Sequence, residues 1–592
     1  MKLEKMRNLM KSEGIDYYVV PTDDFHGSEY VGEYFQTRAW LSGFTGSAGT
    51  LLVGKDEAAL WTDGRYFLQA AEQLEGSGIT LMKMGEEGVP TLVEYLAEHL
   101  QEQMTLGFDG RCVSESFVKD VMDALEGKTI RIAYDKDLAG MVWEDRPALS
   151  KKAVWFLEEE NCGASRREKL AAVREEMKKK NADGLLLTSL DEIAWLFNMR
   201  GDDIAYNPVV LSFCIITEKE VRLFIQDGAL TAEQENVFAG EGILLDAYLN
   251  VYEYVKGLEV KMLWLNDQKT SYALMENLPK DLQLVKGLTP VAFAKALKNA
   301  KEQENMKIAH VKDGVAVTKF MYWLKTNVGN CEMTELSVAE KLKEFREEQK
   351  DFLEESFAPI AGYGPHGAII HYSATEESNA VICPEGLLLM DTGGQYLEGT
   401  TDITRTFVLG EVDGETKKHF TTVLRGNLRL GDAKFKEGCT GENLDILARG
   451  PFWEQCIDYN HGTGHGVGFV LNVHELPGRI MWKRREGYGE GETIQEGMIL
   501  SNEPGFYLEG AYGIRLENLV LCKKAEKNSY GQFMEFETLT LVPFDLDGVD
   551  VTLLDRREKQ LLNDYHSRVY QELLPYMSEE EGAWLAHATR AV

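Results

Sequence analysis

The chain has 592 residues, 44% of them hydrophobic and 27% charged, which predicts a globular protein of about three or four domains and disfavours a disordered chain. Asp and Glu outnumber Lys and Arg by 97 to 63, and the net charge of −34 disfavours nucleic acid and anionic membranes as partners. Most of this surplus is expected to be solvated surface, and a smaller share could hold metal.

The sequence pattern predicts neither a signal peptide nor a membrane span, and its cysteine spacing predicts neither a zinc ribbon nor a disulfide framework. The N-terminus has no apolar core of a signal peptide, and no run of about 18 apolar residues suggests a membrane span. The eight cysteines include no CxxC pair, which disfavours a zinc ribbon or a disulfide framework. These features predict a cytoplasmic protein with reduced thiols.

The first segment alternates helix and strand patterns, which predicts an α/β domain. Residues 143–165 are charged and contain Asn, Pro and Gly, so they are interpreted as a linker. The predicted elements are a helix carrying Leu3, Met6 and Met10, strands at 17–20, 50–53 and 58–61, and a helix at 66–74.

A second segment starts like the first. MKSEGIDYYVV (10–20) resembles MKKKNADGLLL (177–187), and each is followed by a Trp-Leu pair, at Trp40 and at Trp195. A helix is predicted over 167–180 and a strand over 184–187. The sequence therefore predicts a duplicated α/β unit.

The third segment opens with a long helical pattern over 301–323 and becomes rich in Gly, Thr, His and Pro from about residue 355. After Pro543 a helical tail is predicted, with stretches at 557–562 and 565–574. The tail could be a packing element or an oligomer contact.

Two aspartates lie in a predicted hairpin. The strand 387–390 ends at Asp391, residues 392–399 are expected to turn, and the strand 400–409 carries Asp402. By the two-residue period, Asp402 shares a face with Thr404 and Thr406, while Ile403 and Phe407 point to the core. Two buried carboxylates this close need a cation or a shared proton.

The segment HGTGHGVGFVLNVHE (461–475) contains three of the chain's eleven histidines. Its glycines disfavour a helix, so His461 and His465 do not form the helical HExxH zinc motif. The glycines instead allow the backbone to approach a neighbour closely. This concentration of histidines indicates a functional site that includes His474.

Two glutamates complete the candidate set. Glu503 precedes a Pro-Gly turn in SNEPGFY, and Glu517 lies in a predicted strand, where an ion pair with Arg515 is an alternative explanation. Oxygen-rich sites with one imidazole suit Mn, Co or Zn. Four carboxylates would be neutralised by two divalent ions, which favours hydrolysis by a metal pair.

These motifs, in this order, resemble the pita-bread metallopeptidases, which include methionine aminopeptidase, prolidase, creatinase and aminopeptidase P. The resemblance is closest to the three-domain, eukaryotic-type cytosolic Xaa-Pro aminopeptidases (aminopeptidase P). It covers essentially the whole chain, because SGFTGSAGT, WTDGRYFLQA, LDEIAWLFNMRGDDI, GPHGAIIHY and GTTDITRTF also resemble that group.

The resemblance implies a role for each matching residue. Asp391 would bind one metal, Asp402 and Glu517 would bridge two, and His465 and Glu503 would complete the second. A bridging hydroxide would attack the Xaa-Pro carbonyl, with Glu503 as general base. The residues implied around the substrate are His371 and His474, which would also serve catalysis, together with His461, Tyr507 and Arg515.

The resemblance also implies a fold and partners. Two creatinase-like α/β domains (1–158 and 159–302) would precede a pita-bread catalytic domain (303–592), whose helical extension covers 545–592. The expected cofactor is a pair of divalent ions, Mn²⁺ before Zn²⁺ or Co²⁺, and the expected partners are a peptide with proline second and a second copy of the chain. The alternatives are a prolidase or creatinase, and a non-enzymatic binding protein of the same fold.

Overall fold

The computed structural model describes residues 2–125, 127–483 and 492–592. The chain folds into two compact units, one of Met1–Leu157 and Ala164–Ala292 and the other of Glu158–Gly163 and Phe293–Val592. Among the described residues, no helix is both long and apolar enough to cross a bilayer. The eight cysteines all lie in this described part and form no disulfide.

The first unit begins with a mixed six-stranded sheet. Its buried central strand, Tyr17–Pro21, pairs antiparallel with Thr50–Gly54 and parallel with Thr105–Phe108. In spatial order the strands are Thr80–Lys83, Ala58–Thr62, Thr50–Gly54, Tyr17–Pro21, Thr105–Phe108 and Arg131–Ala133. The helices are Lys2–Glu13, Thr37–Ser42, Phe67–Gln73, Leu92–His99, Glu115–Ala124 and Leu138–Val142.

A second six-stranded sheet repeats this topology. Gly184–Leu187 pairs antiparallel with Ser212–Thr217 and parallel with Met262–Leu265, as a duplicated unit requires. In spatial order the strands are Ile243–Ala247, Val221–Ile225, Ser212–Thr217, Gly184–Leu187, Met262–Leu265 and Gln283–Lys286. The helices are Arg166–Lys179, Leu190–Leu196, Ala232–Gly240, Val251–Tyr254 and Tyr272–Asn277, and the helix Pro290–Ala296 follows where the chain passes into the second unit.

The predicted linker at 143–165 is partly structured. It contains the strand Trp155–Phe156, which pairs with Met199–Arg200, and the short helix Glu159–Cys162. Elements of two and four residues are too short to leave a periodic pattern, so the prediction of a plain linker is wrong there.

The second unit combines helices with small sheets. Besides the short helix Glu159–Cys162, its helices include Ala300–Asn327, Glu335–Glu347, Gly414–Gly431, Gly441–Trp453, Arg556–Leu573 and Glu579–Ala588. One sheet contains, in spatial order, Lys434–Lys436, Gly531–Thr538, Asn518–Asn528, Ile499–Asn502, Gly464–Gly466 and Glu475–Ile480. The others are Phe352–Glu355 with Gly394–Tyr396 and Gly399–Thr400, Ile360–Tyr363 with Leu387–Thr392 and Ile403–Val408, and Gly505–Leu508 with Tyr512–Arg515.

The predicted hairpin forms, with Leu387–Thr392 antiparallel to Ile403–Val408. Ile403 and Phe407 pack in a core cluster with Phe320 of the long helix, as the alternation predicts. The connection is more than a turn, because residues 394–396 and 399–400 form two further strands. That part of the expectation is wrong.

The tail after Pro543 is a packing element. The two helical stretches predicted there form one helix, Arg556–Leu573, which buries Leu562 and Val569. Its Tyr565 hydroxyl lies 2.9 Å from Nη2 of the buried Arg405, which belongs to the strand Ile403–Val408. The tail therefore packs against the strand that follows Asp402 and contacts it through this hydrogen bond.

Candidate metal centre

Asp391 lies at the end of the buried strand Leu387–Thr392 and forms an ion pair with Arg515. Nη2 of Arg515 donates to Oδ2 of Asp391 over 2.6 Å. Oδ1 of Asp391 is also buried and has no hydrogen-bond partner among the described residues. One carboxylate oxygen is therefore held by the protein, and the other is left to accept a ligand.

Asp402, His465 and Glu517 come together from distant parts of the chain. One ligand atom of each lies within 4.8 Å of those of the other two. Oε2 of Glu517 accepts a hydrogen bond from the Thr404 hydroxyl over 2.8 Å, whereas its buried Oε1 has no partner among the described residues. Glu517 thus repeats the arrangement of Asp391.

His465 is oriented by the backbone. Its Nδ1 lies 2.9 Å from the Gly466 carbonyl, so Nδ1 carries the donated proton and Nε2 is an acceptor in the neutral ring. Nε2 lies 3.4 Å from Oδ2 of Asp402 and 3.5 Å from Oε1 of Glu503. A lone pair facing carboxylate oxygens requires a proton or a cation between them.

Glu503 joins the cluster from the loop between the strands Ile499–Asn502 and Gly505–Leu508. The Ser501 hydroxyl donates to its Oε1 over 3.0 Å and also accepts the backbone N–H of His465 over 2.9 Å. Ser501 therefore links the positions of Glu503 and His465.

The electrostatics of the site favour a bound cation. Burial raises the pKa of Glu503 to about 7, raises the pKa of Asp391, and raises that of Glu517 well above its usual range, with Asp402 adding repulsion. Burial alone would lower the pKa of His465, but the Asp402 hydrogen bond and the Glu503 charge raise it to about 9. Without a cation, the cluster holds protons that a metal would replace.

The donor set fits divalent metal. Carboxylate and imidazole ligands bind at about 2.0–2.2 Å, which places neighbouring ligand atoms about 3 to 3.5 Å apart. The distances from His465 to Asp402 and Glu503 match this spacing. The unpartnered oxygens of Asp391 and Glu517 supply further ligand atoms in the buried interior.

A second polar chain leads away from Asp391. Nη1 of Arg515 donates to the Tyr507 hydroxyl over 2.7 Å, and that hydroxyl lies 2.9 Å from Nε2 of His461. Burial raises the pKa of Tyr507 to about 12, so its hydroxyl stays protonated and donates to His461. His461 Nδ1 in turn lies 2.7 Å from the Gly462 carbonyl.

The other two histidines lie beside this cluster. The ring of His474 meets that of His465 edge to face, with centroids 4.3 Å apart. His371 follows Ile370, whose carbonyl accepts from Nη2 of Arg515 over 3.4 Å. The eight acidic and histidine residues that the sequence singled out therefore lie in one region of the second unit, together with Tyr507 and Arg515.

Two residues that support the site, Thr404 and Ser501, were not among the candidate site residues of the sequence. Thr404 lies two residues after Asp402 on the same strand face, and Ser501 lies two residues before Glu503 in a fully buried strand. Both could have been found from the sequence, because each is a small polar residue in an apolar strand and lies two positions from a candidate ligand, on the same strand face.

Three local expectations need correction. Asp402 precedes the strand Ile403–Val408 rather than lying inside it, and Glu517 lies between the strands Tyr512–Arg515 and Asn518–Asn528. Arg515 pairs with Asp391 and not with Glu517. Breaks between strands turn these carboxylates toward one another, and strand periodicity alone does not predict such breaks.

The glycines of 461–475 allow close strand contacts, as expected. A Cβ on Gly464 would lie 2.0 Å from the Ser501 carbonyl oxygen, and one on Gly466 would lie 2.5 Å from that of Glu475. The strand that carries His465 can therefore sit against the strands on both sides only because these positions have no side chain.

Family profiles match most of the chain. Profiles of the creatinase/prolidase N-terminal domain match residues 2–144 and 145–302. The profile of metallopeptidase family M24 matches residues 304–524, and that of the C-terminal region of peptidase M24 matches 532–592.

Full-length relatives give the same result. The chain is 37% identical to Xaa-Pro aminopeptidase 1 of Dictyostelium discoideum, over 98% of this chain and 94% of the relative. It is 38% identical to the probable Xaa-Pro aminopeptidase P of Talaromyces marneffei, over 100% of this chain and 92% of that protein.

Solved structures agree with the expected fold class. The X-prolyl aminopeptidase of Caenorhabditis elegans, described as a cytosolic enzyme with a di-nuclear active site, matches with a TM-score of 0.95 at 33% identity, covering 100% of this chain and 99% of that one. The Xaa-Pro dipeptidase of Bacillus anthracis matches with a TM-score of 0.51 at 23% identity, over 64% of this chain and 99% of its own, which shows a shared fold only. The chain is a metalloexopeptidase that belongs to metallopeptidase family M24, and within it to the Xaa-Pro aminopeptidases.

Proposed function

We propose that the protein removes the N-terminal residue from peptides that have proline at the second position. The observation that carries this proposal is the buried cluster of Asp402, His465 and Glu517, in a chain similar over its whole length to Xaa-Pro aminopeptidases. A non-enzymatic relative would have lost these ligands, and all five expected ligand positions are occupied here by ligating residues.

The site would hold two divalent ions through Asp391, Asp402, His465, Glu503 and Glu517, with Mn²⁺ as the proposed metal. Four carboxylates and Arg515 carry three net negative charges, which two divalent ions and one hydroxide would neutralise. When bound, the ions would polarise the scissile carbonyl and supply a hydroxide at neutral pH.

Glu503 is proposed as the general base. A carboxylate beside the reacting groups can accept a proton and release it again, and the Ser501 hydroxyl holds Oε1 of Glu503 in place. The charges of His465 and Arg515 lower the pKa of Glu503 and those of Asp402 and Asp391 raise it, so metal bound among these groups would set its final basicity.

His371 and His474 are proposed to act around the reacting amide. An Xaa-Pro bond has no N–H, and its leaving nitrogen must be protonated before it departs. An imidazole can deliver such a proton or stabilise the developing oxyanion at neutral pH. Tyr507, Arg515 and His461 form the hydrogen-bonded wall beside Asp391, and they would border the substrate.

The domain limits, the cellular location and the assembly of the protein are also proposals. The domain limits are 1–158, 159–302 and 303–592, with the extension at 545–592. The enzyme would act in the cytoplasm, as the Caenorhabditis elegans relative does by its description, and would form a homodimer that binds neither nucleic acid nor membrane.

The test is to incubate Mn²⁺-loaded protein with Arg-Pro-Pro and Arg-Ala-Pro and to identify the products by mass. Release of Arg from Arg-Pro-Pro alone is expected, and Asp402→Ala should abolish it while lowering bound metal. Equal rates on the two peptides would contradict the specificity.

The alternative of a prolidase-like dipeptidase is tested with Arg-Pro beside Arg-Pro-Pro. If only the dipeptide is cleaved, the dipeptidase assignment is correct and the aminopeptidase assignment is wrong.

A further inference from the structure

A buried carboxylate lies at the start of the helix Glu335–Glu347, away from the proposed ligands. Glu335 is 0% exposed. Its Oε1 lies 2.8 Å from the backbone nitrogen of Tyr363 and 2.8 Å from Nδ1 of His366. Its Oε2 lies 3.0 Å from the backbone nitrogen of Ala380 and 2.9 Å from the Tyr372 hydroxyl.

These four donors all belong to one segment, residues 363–380. Tyr363 ends the strand Ile360–Tyr363, and Ala380 lies seven residues before the start of the strand Leu387–Thr392. His366 and Tyr372 lie between them and stack, with ring centroids 4.5 Å apart and an interplanar angle of 24°. Glu335 therefore ties both ends and the middle of this segment to one side chain.

His371 is the member of this segment with a proposed catalytic role. The residue before it, Ile370, accepts from the guanidinium of Arg515 that also binds Asp391. The residue after it, Tyr372, binds Glu335. His371 is thus held on one side by the metal site and on the other side by Glu335.

The free-energy cost of burying the Glu335 carboxylate indicates that this side chain positions the segment it binds. A fully buried carboxylate is expensive unless every lone pair is used, and an apolar residue could have filled the same volume without that cost. Four simultaneous hydrogen bonds fix orientation as well as packing, which apolar contacts do less well. A misplacement of about 1 Å of a catalytic group can cost about 100-fold in rate.

We infer that Glu335 is a positioning residue that sets the location of His371 by binding the segment 363–380. It is not a proposed ligand, and it acts through His366, Tyr372 and the backbone amides of Tyr363 and Ala380. This inference rests on the proposed function, since it assumes that His371 serves the cleavage of Xaa-Pro bonds.

The test is a double-mutant cycle with Glu335→Gln and His371→Ala, measured as kcat/KM on Arg-Pro-Pro. Glu335→Gln keeps the volume and should lower kcat/KM by about 10- to 100-fold. In the His371→Ala background, the same change should cost less than about twofold, because the residue it positions is gone. The matched control is Glu340→Gln, the same change at an exposed position of the same helix, which should leave activity at the wild-type level.

Amide hydrogen exchange gives a readout that does not need activity. Glu335→Gln should speed exchange at Tyr363 and Ala380, and Glu340→Gln should not. If Glu335→Gln does not fold, Tyr372→Phe replaces it in the cycle, since it removes one hydroxyl and keeps the stacked ring.

The outcomes separate the two proposals. A wild-type protein that leaves Arg-Pro-Pro intact overturns the proposed function, while exchange at Tyr363 and Ala380 still tests the role of Glu335. If the wild type is active, two results overturn the inference. The first is a double mutant whose loss of kcat/KM equals the product of the two single losses. The second is a Glu335→Gln protein whose kcat/KM is within twofold of wild type.

Discussion

At the residue scale, two hydroxyl groups each fix one oxygen of a proposed carboxylate ligand. Thr404 donates to Glu517 and accepts from Nε of Arg515 over 3.2 Å, so it connects a proposed bridging ligand to the guanidinium that holds Asp391. Ser501 donates to Glu503 and accepts from the backbone N–H of His465, so it connects these two proposed ligands. Such supporting hydrogen bonds orient the oxygen that remains for metal.

Removing the Thr404 hydroxyl should therefore weaken the site without unfolding the protein. Thr404→Val is expected to lower metal affinity and kcat/KM by about 10- to 100-fold, measured by chelator competition and by cleavage of Arg-Pro-Pro. The control is Thr406→Val, which removes an equally buried hydroxyl from the same strand face. Within the described part of the chain, that hydroxyl hydrogen-bonds to the backbone of Arg515 and to no proposed ligand. Equal losses in both variants would refute the role of Thr404.

The pKa values at the site predict how the metal-free protein responds to pH. Burial raises the folded-state pKa of Glu503 from 4.5 to about 7 and raises that of Glu517 as well. The folded state therefore binds these protons more tightly than the unfolded state, so the contribution of these two carboxyls to the free energy of unfolding is fully present below about pH 4.5 and is lost as the pH rises through 7. Denaturant titrations of chelator-treated protein at pH 5 and pH 8 should show this loss, and saturating Mn²⁺ should remove it. A metal-free protein that is equally stable at both pH values, or more stable at pH 8, would contradict it.

At the element scale, the strand Gly464–Gly466 brings His465 to the carboxylates. It pairs with Glu475–Ile480 on one side and meets Ile499–Asn502 on the other. His474 directly precedes the first of these neighbouring strands, and Glu503 directly follows the second. The sheet therefore holds both residues at fixed distances from His465. Backbone contact at the glycines sets this spacing.

Gly464→Ala should consequently disrupt both stability and metal binding. The added Cβ would meet the Ser501 carbonyl oxygen at 2.0 Å, and forcing the strands apart should cost about 1–3 kcal/mol in the free energy of unfolding. Gly462→Ala is the control, because its Cβ would be 3.7 Å from the nearest atom. Chemical denaturation and metal titration compare the two, and a Gly464→Ala protein as stable as Gly462→Ala would count against the close strand contact.

At the scale of the whole molecule, the duplicated sheets and the catalytic region lie in different parts of the chain. All five proposed ligands belong to the unit that includes Phe293–Val592. Only four of the 97 acidic residues are proposed as ligands, so the net charge of −34 arises almost entirely outside the proposed site.

This surface charge predicts the behaviour toward polyanions. Phosphate backbones should be repelled, and no complex with double-stranded DNA is expected at physiological salt in an electrophoretic mobility assay. A complex with a dissociation constant below about 1 μM would overturn the assignment of the charge to a solvated surface.

Local patterns in the sequence were sufficient to predict side-chain directions in the strand 403–408, the duplicated units and the family. Alternation along 403–407 placed Ile403 and Phe407 in the core and Thr404 toward the site, because side-chain direction in a strand depends only on position. The similar starts of the first two segments predicted two units of one topology. The motifs around Asp391, His465 and Glu503 indicated a metallopeptidase, and the comparisons confirm that family.

Only the tertiary structure decided which groups meet. Arg515 lies two residues from Glu517, yet it pairs with Asp391, 124 positions away, because a break between strands turns Glu517 toward Asp402 and His465. The contacts of Ser501 and Glu335 depend in the same way on how distant segments pack. Sequence periodicity specifies the direction of a side chain within its own element, whereas a hydrogen-bond partner is selected by the packing of elements against one another, which no local pattern encodes.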